Sequence, residues 1–125
     1  MVGEAGSPAV HGGEDVTREI TDRNYGKFLM VKDGRVKALK VGAEWCKPCR
    51  MLDEVLPKIV KSTPQIDWGI ADTRKCPRLS KRFKIESIPQ ILFYRNGRKL
   101  GRIDGFLGYA ETQEWIIVNI LDVRV

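Results

Sequence analysis

Hydrophobic and polar positions change period several times along the chain, and each change predicts an element. Val36 to Val41 reads as a buried strand that ends just before Ala43-Glu44-Trp45-Cys46. From Pro48 the apolar residues Met51, Leu52, Val55, Leu56, Ile59 and Val60 recur at i, i+1, i+4 and i+5, the stripe of an amphipathic helix. Pro57 falls inside that helix, where it removes one backbone hydrogen bond and predicts a kink. Ile66, Trp68 and Ile70 then alternate with Asp67 and Gly69, a strand pattern. Gln90 to Tyr94 is an apolar run ending at Asn96-Gly97, the strongest short hairpin signal, with Leu100 to Ile103 as the returning strand. A closing helix from about Ala110 is expected to bury Trp115, Ile116, Ile117, Ile120 and Leu121.

Upstream, Glu19-Ile20-Thr21 predicts a short strand, and Thr21 or Asp22 the cap of a helix through Tyr25, Phe28 and Leu29. Asp33-Gly34 marks a turn, and Cys76-Pro77 opens a short helix running to Phe83. The order β-α-β-α-β-α-β-β-α passes from alternating units to a hairpin. That implies an α/β fold in which a mixed sheet of four to five strands is covered by helices.

Length and composition narrow the class. The 125 residues make one domain with a modest core, and 42% hydrophobic with 30% charged residues is a globular balance. No stretch approaches the run of apolar residues that a membrane span needs. Residues 1–15, rich in Gly, Ser and Pro, are expected to form a flexible tail ahead of a domain at 16–125. This tail lacks the basic and apolar regions of a secretory signal, so a cytoplasmic location is expected. The single histidine, His11, lies in it and reads as a solvated residue rather than a ligand.

Three cysteines in a reducing compartment argue against a permanent staple and for metal or redox chemistry. Cys46 and Cys49 sit where a buried strand gives way to a helix. A helix N-terminus carries partial positive charge and unpaired N–H groups, both of which favour a thiolate over a thiol. Pro48 is tolerated in the first turn, and Lys47 adds a full positive charge beside Cys46. A free thiol ionises near ~8.5, and such surroundings lower that value. Cys46, at the exposed helix start, is therefore expected to attack, and Cys49, one turn in and more buried, to resolve the mixed disulfide. Zinc would need two further ligands, and only Cys76 and His11 remain as candidates.

With Ala43-Glu44-Trp45-Cys46-Lys47-Pro48-Cys49, Ile88-Pro89 ahead of Ile91-Leu92-Phe93-Tyr94, then Asn96-Gly97 and Gly105, the chain resembles the thioredoxin family from about residue 18 onward. The resemblance implies a thioredoxin-like fold and a protein-disulfide reductase with Cys46 and Cys49 as catalytic residues and no bound cofactor. It implies a cis Ile88–Pro89 bond beside the dithiol, with the Ile88 backbone, Pro89, Trp45 and Gly105 contacting an extended substrate segment. The implied partners are disulfide-containing proteins and a thioredoxin-reductase-like electron donor, with no nucleic acid or membrane, and a monomer is expected.

The chain also departs from the family pattern. Lys40 stands where a buried aspartate is usual, and Gly42 where an aromatic residue is common. Trp68 replaces a strand lysine, Lys47 replaces the glycine of the usual Gly-Pro insert, and Glu54 takes the place of a helix proline that here comes later, as Pro57. Lys40 is expected to point to solvent through a change of register; the alternative is that it helps hold Cys49 as thiolate, beside Lys47 and Pro48 as the other residues tuning the thiols. These changes leave open whether the dithiol acts as reductant, oxidant or isomerase.

Arg74 to Lys84 holds six basic residues and no acidic one. It is expected to be a solvated surface, with docking of an acidic partner as the functional alternative and nucleic acid disfavoured because no aromatic residues interleave the charges. Cys76 reads as a small residue at a helix cap, the alternative being a thiol made reactive by its basic neighbours and open to glutathionylation or an intermolecular disulfide. Besides the enzyme, two other classes remain: a non-enzymatic partner-binding module and a structural zinc protein.

Overall fold

The computed structural model describes residues 17–121, so the expected tail and His11 lie outside the described residues. Five strands form one mixed sheet in the order β1-β3-β2-β4-β5. They are β1 (Arg18–Glu19), β2 (Val36–Gly42), β3 (Ile66–Asp72), β4 (Gln90–Arg95) and β5 (Arg98–Asp104). β2 pairs in parallel with β3, which pairs in parallel with β1, and the β4–β5 hairpin adds antiparallel strands on the other side. Four helices cover the sheet: α1 (Tyr25–Leu29), α2 (Lys47–Ser62), α3 (Pro77–Arg82) and α4 (Tyr109–Ile116). The α/β class, the mixed sheet and the element order agree with the sequence reading.

Because side chains alternate along a strand, β2 feeds two cores. Val36 and Ala38 join Leu52, Leu56, Ile59, Val60, Trp68, Phe93 and Ile116 under α2 and α4. Leu39 and Val41 join Phe28, Leu29, Leu79, Phe83 and Leu92 under α1 and α3. Trp68 is held by its surroundings as well as by burial: its Nε1–H donates to Thr63 Oγ1 at 2.9 Å, and its ring meets Phe93 edge-on. The hairpin turns through Asn96 and Gly97, both at positive φ, as a two-residue turn of this kind requires.

Several details differ from expectation. α1 starts from Asn24, not Thr21 or Asp22; Asp22 instead accepts the backbone N–H groups of Arg78 and Leu79, at the start of α3. α2 spans 16 residues with Pro57 inside it, as expected, but Met51 on its stripe is exposed. The closing helix widens into a π-turn at Ile117–Leu121, which buries Ile116 and Ile120 and leaves Ile117 half-exposed. Among the described residues, no helix is long and apolar enough to cross a membrane.

Candidate functional site

The central strand β2 delivers the chain to the start of α2, and that junction carries Cys46 and Cys49. Cys46 is the N-cap residue of α2, in extended backbone, with Lys47 and Pro48 opening the first turn. Its Sγ accepts the backbone N–H of Cys49 at 3.2 Å, so the sulfur takes the place of a capping oxygen. Cys46 and Cys49 are joined in a disulfide, with Cα atoms 5.2 Å apart. Cys49 is fully buried, while Cys46 retains 7% exposure. The order of access is the expected one, but Cys46 is more covered than a helix start suggests, because Ala43 and Ile88 pack against the pair. Lys47 and Pro48 are exposed, and Trp45 is 63% exposed on the rim.

A second segment closes on the dithiol. The Ile88–Pro89 peptide bond is cis, and the Ile88 carbonyl oxygen lies 3.9 Å from Cys46 Sγ. Pro89 is buried, and its carbonyl accepts the backbone N–H of Gly105 at 2.8 Å. Gly105 has φ of +84° and open space where a Cβ would sit, so backbone conformation rather than crowding calls for glycine there. Cys46, Cys49, Ile88, Pro89 and Gly105 thus form one connected corner.

Lys40 does not point to solvent. It lies on the α2 face of β2 with its residue 4% exposed, and its ammonium reaches Asp53 Oδ1 at 2.6 Å. The register of β2 is regular, and the strand holds Lys40 inward because Val36, Ala38 and Lys40 share one face. A cavity of about 340 Å³ opens beside it, lined by Lys40, Gly42, Ala43, Glu44, Asp53 and Asp72 among others. Asp53 was not recognisable as a site residue on its own. The available signal was indirect: a lysine in a buried strand needs a carboxylate partner, and α2 places Asp53 one turn after Cys49.

The other candidates lie apart from this corner. Cys76 is buried, its Sγ–H donates to the Ile20 carbonyl at 3.6 Å, and burial pushes its thiol up, aided by Asp22 and Asp72. It packs in the core at the cap of α3. In the basic stretch Arg74, Lys75, Arg78, Lys81, Arg82 and Lys84 are all exposed. Among the described residues, no group of three or more His, Cys, Asp or Glu is placed to hold a metal ion.

A family model described as Thioredoxin matches residues 16–117. The chain is 32% identical over 98 residues to Thioredoxin C-3 of Corynebacterium nephridii, covering 78% of this chain and 67% of that protein. It is 29% identical over 86 residues to Thioredoxin of Chlamydia pneumoniae, covering 69% and 81% respectively. It is also 27% identical over 81 residues to Glutaredoxin-3 of Homo sapiens, where the match covers 65% of this chain but only 24% of that much longer protein.

Proposed function

The chain belongs to the thioredoxin family of protein disulfide oxidoreductases, and from that membership we propose that it reduces protein disulfides through Cys46 and Cys49. The supporting observation is the Cys46 sulfur at the N-cap of α2, receiving a backbone N–H and sharing a disulfide with the buried Cys49. In the reduced protein that N–H, the helix terminus and the neighbouring Lys47 all favour a thiolate on Cys46, with Pro48 shaping the first turn.

Cys46 thiolate attacks one sulfur of a substrate disulfide, forming a mixed disulfide and expelling the other substrate sulfur, which takes a proton from solvent. Cys49 then attacks Cys46, the internal disulfide forms, and the second substrate thiol leaves. The chain is oxidised by two electrons as the substrate is reduced, and an external reductase protein restores the dithiol without a bound cofactor. The Ile88 backbone lies beside Cys46 and can pair with an extended substrate segment, with Trp45 and Gly105 on the flanks and Pro89 offering no competing N–H. The 16–125 domain carries this chemistry in a reducing compartment.

The test is reduction of insulin by dithiothreitol. The protein is expected to accelerate precipitation of the insulin B chain, and Cys46→Ser to abolish the acceleration. Wild-type rates no higher than those of Cys46→Ser would remove the enzyme reading.

A further inference from the structure

A lysine buried beside the resolving sulfur is unexpected chemistry, because its charge acts directly on how that sulfur ionises. A Cβ built on Gly42 would sit 3.0 Å from Lys40 Nζ and 3.1 Å from Cys49 Sγ. The ammonium and the sulfur therefore face each other across the space that any larger residue at position 42 would occupy. On its other side the ammonium is paired with Asp53, whose side chain is half-exposed. Cys49 and Asp53 are four residues apart on α2, so the half-exposed Asp53 lies one turn beyond the buried Cys49. Glu44 and Asp72 also line the cavity, but Glu44 is almost fully exposed and Asp72 accepts the Arg74 backbone N–H. From the β4 side the residue packed against the dithiol is Ile88, which is uncharged.

We propose that Lys40 is a positioning residue for the resolving step: its ammonium stabilises the Cys49 thiolate, and Asp53 moderates that effect and marks the route by which the proton leaves. The inference takes Cys49 as the resolving sulfur, as proposed above. In the step, the Cys49 thiol gives its proton to solvent through the cavity, past the Asp53 carboxylate. The thiolate attacks Cys46 Sγ, the Cys46–Cys49 bond forms and the Cys46–substrate bond breaks. The electron pair leaves with the substrate sulfur, which is protonated from solvent.

Packing alone does not call for this arrangement. Replacing a buried ion pair by apolar side chains is often neutral or stabilising, and β2 is otherwise apolar on this face at Val36 and Ala38. A unit charge on the order of 6 Å away, at an effective dielectric of about 20, changes an ionisation constant by roughly a hundredfold. Asp53 on the far side of the ammonium offsets part of this, leaving about tenfold. Thiolates formed at a lower pKa are less nucleophilic, so a tenfold gain in thiolate becomes about a threefold gain in resolving rate.

The experiment titrates Cys49 in the full chain carrying Cys46→Ser and Cys76→Ala, following thiolate absorbance at 240 nm. Adding Lys40→Met removes the ammonium and leaves the Asp53 carboxylate, so it is expected to lower the ionisation constant by up to about a hundredfold, and adding Asp53→Asn to raise it about tenfold. Opposite signs are the signature, since loss of a merely structural pair would move both variants the same way. An unchanged midpoint in Lys40→Met, or a shift of the same sign in both, overturns the proposal. If Lys40→Met does not fold, the surface variant Asp53→Asn decides alone: a raised constant supports the proposal, and an unchanged or lowered one refutes it. This equilibrium reading needs no substrate, so it stands or falls separately from insulin reduction.

Discussion

The ionisation of Cys46 tests the helix-terminus argument most directly. Cys49→Ser removes the disulfide partner but keeps the residue-49 N–H that points at Cys46 Sγ from 3.2 Å. A hydrogen bond to a charged group nets about 1.5–3 kcal/mol. At about 1.4 kcal/mol per decade, that raises the ionisation constant roughly tenfold to a hundredfold over a free thiol. The helix-terminus field is the same N–H charge described another way, so it is not added again. Burial opposes ionisation, and Cys46 is only 7% exposed, which selects the lower end. The thiolate share at neutral pH then rises from a few per cent to about a quarter. The assay is the pH dependence of iodoacetamide alkylation of Cys49→Ser, in which the buried Cys76 is silent below alkaline pH. Repeating it in Lys47→Glu at low and at 1 M salt separates the causes: the exposed Lys47 contribution is screened away, whereas the backbone contribution persists. A midpoint at or above that of free cysteine would refute the reasoning.

Other outcomes follow from the surrounding structure. Thr63→Val leaves the buried Trp68 Nε1–H without its acceptor and should cost about 1–3 kcal/mol; a thermal melt showing a fall of several degrees checks it. A Cβ at Gly69 would lie 2.5 Å from Ile20 Cγ1 and 3.0 Å from Phe28 Cε2, so Gly69→Ala should destabilise by about 1–3 kcal/mol in urea titration. Burial pushes Asp67 up, but hydrogen bonds from Arg35 and Lys37 outweigh it and hold the carboxyl below the ordinary range. The Lys37 hydrogen bond likewise lowers Asp33. Carboxyls depressed in the folded state stabilise it above the unfolded-state pKa and lose that contribution as pH falls through the folded value. Urea midpoints should therefore drop below about pH 4, and Asp67→Asn should flatten that limb.

Much of this was legible in the chain because local rules agree with the fold. The hairpin at Asn96-Gly97 needs only two residues that accept positive φ. The helix after Cys46 needs only its apolar period and a first-turn proline, and the dithiol comes with it because its spacing is one helical turn. Ile88, Pro89 and Gly105 came from family resemblance; the fold then brings Ile88 to Cys46 from far along the chain and ties Gly105 to the Pro89 carbonyl.

Tertiary packing decided the rest. Asp22 caps α3 rather than α1 because α3 docks its N-terminus against that loop, a contact 56 residues away that no local pattern encodes. Ile117 faces outward because the buried face of the closing helix is held by Thr112, Ile116 and Ile120, four residues apart, and Ile117 falls one residue off it. Lys40 is the sharpest case. Strand alternation determined which face it occupies, but whether a charged residue there is buried depends on what the opposing helix offers it. α2 offers Asp53, and a buried cation is tolerable only where such a partner meets it.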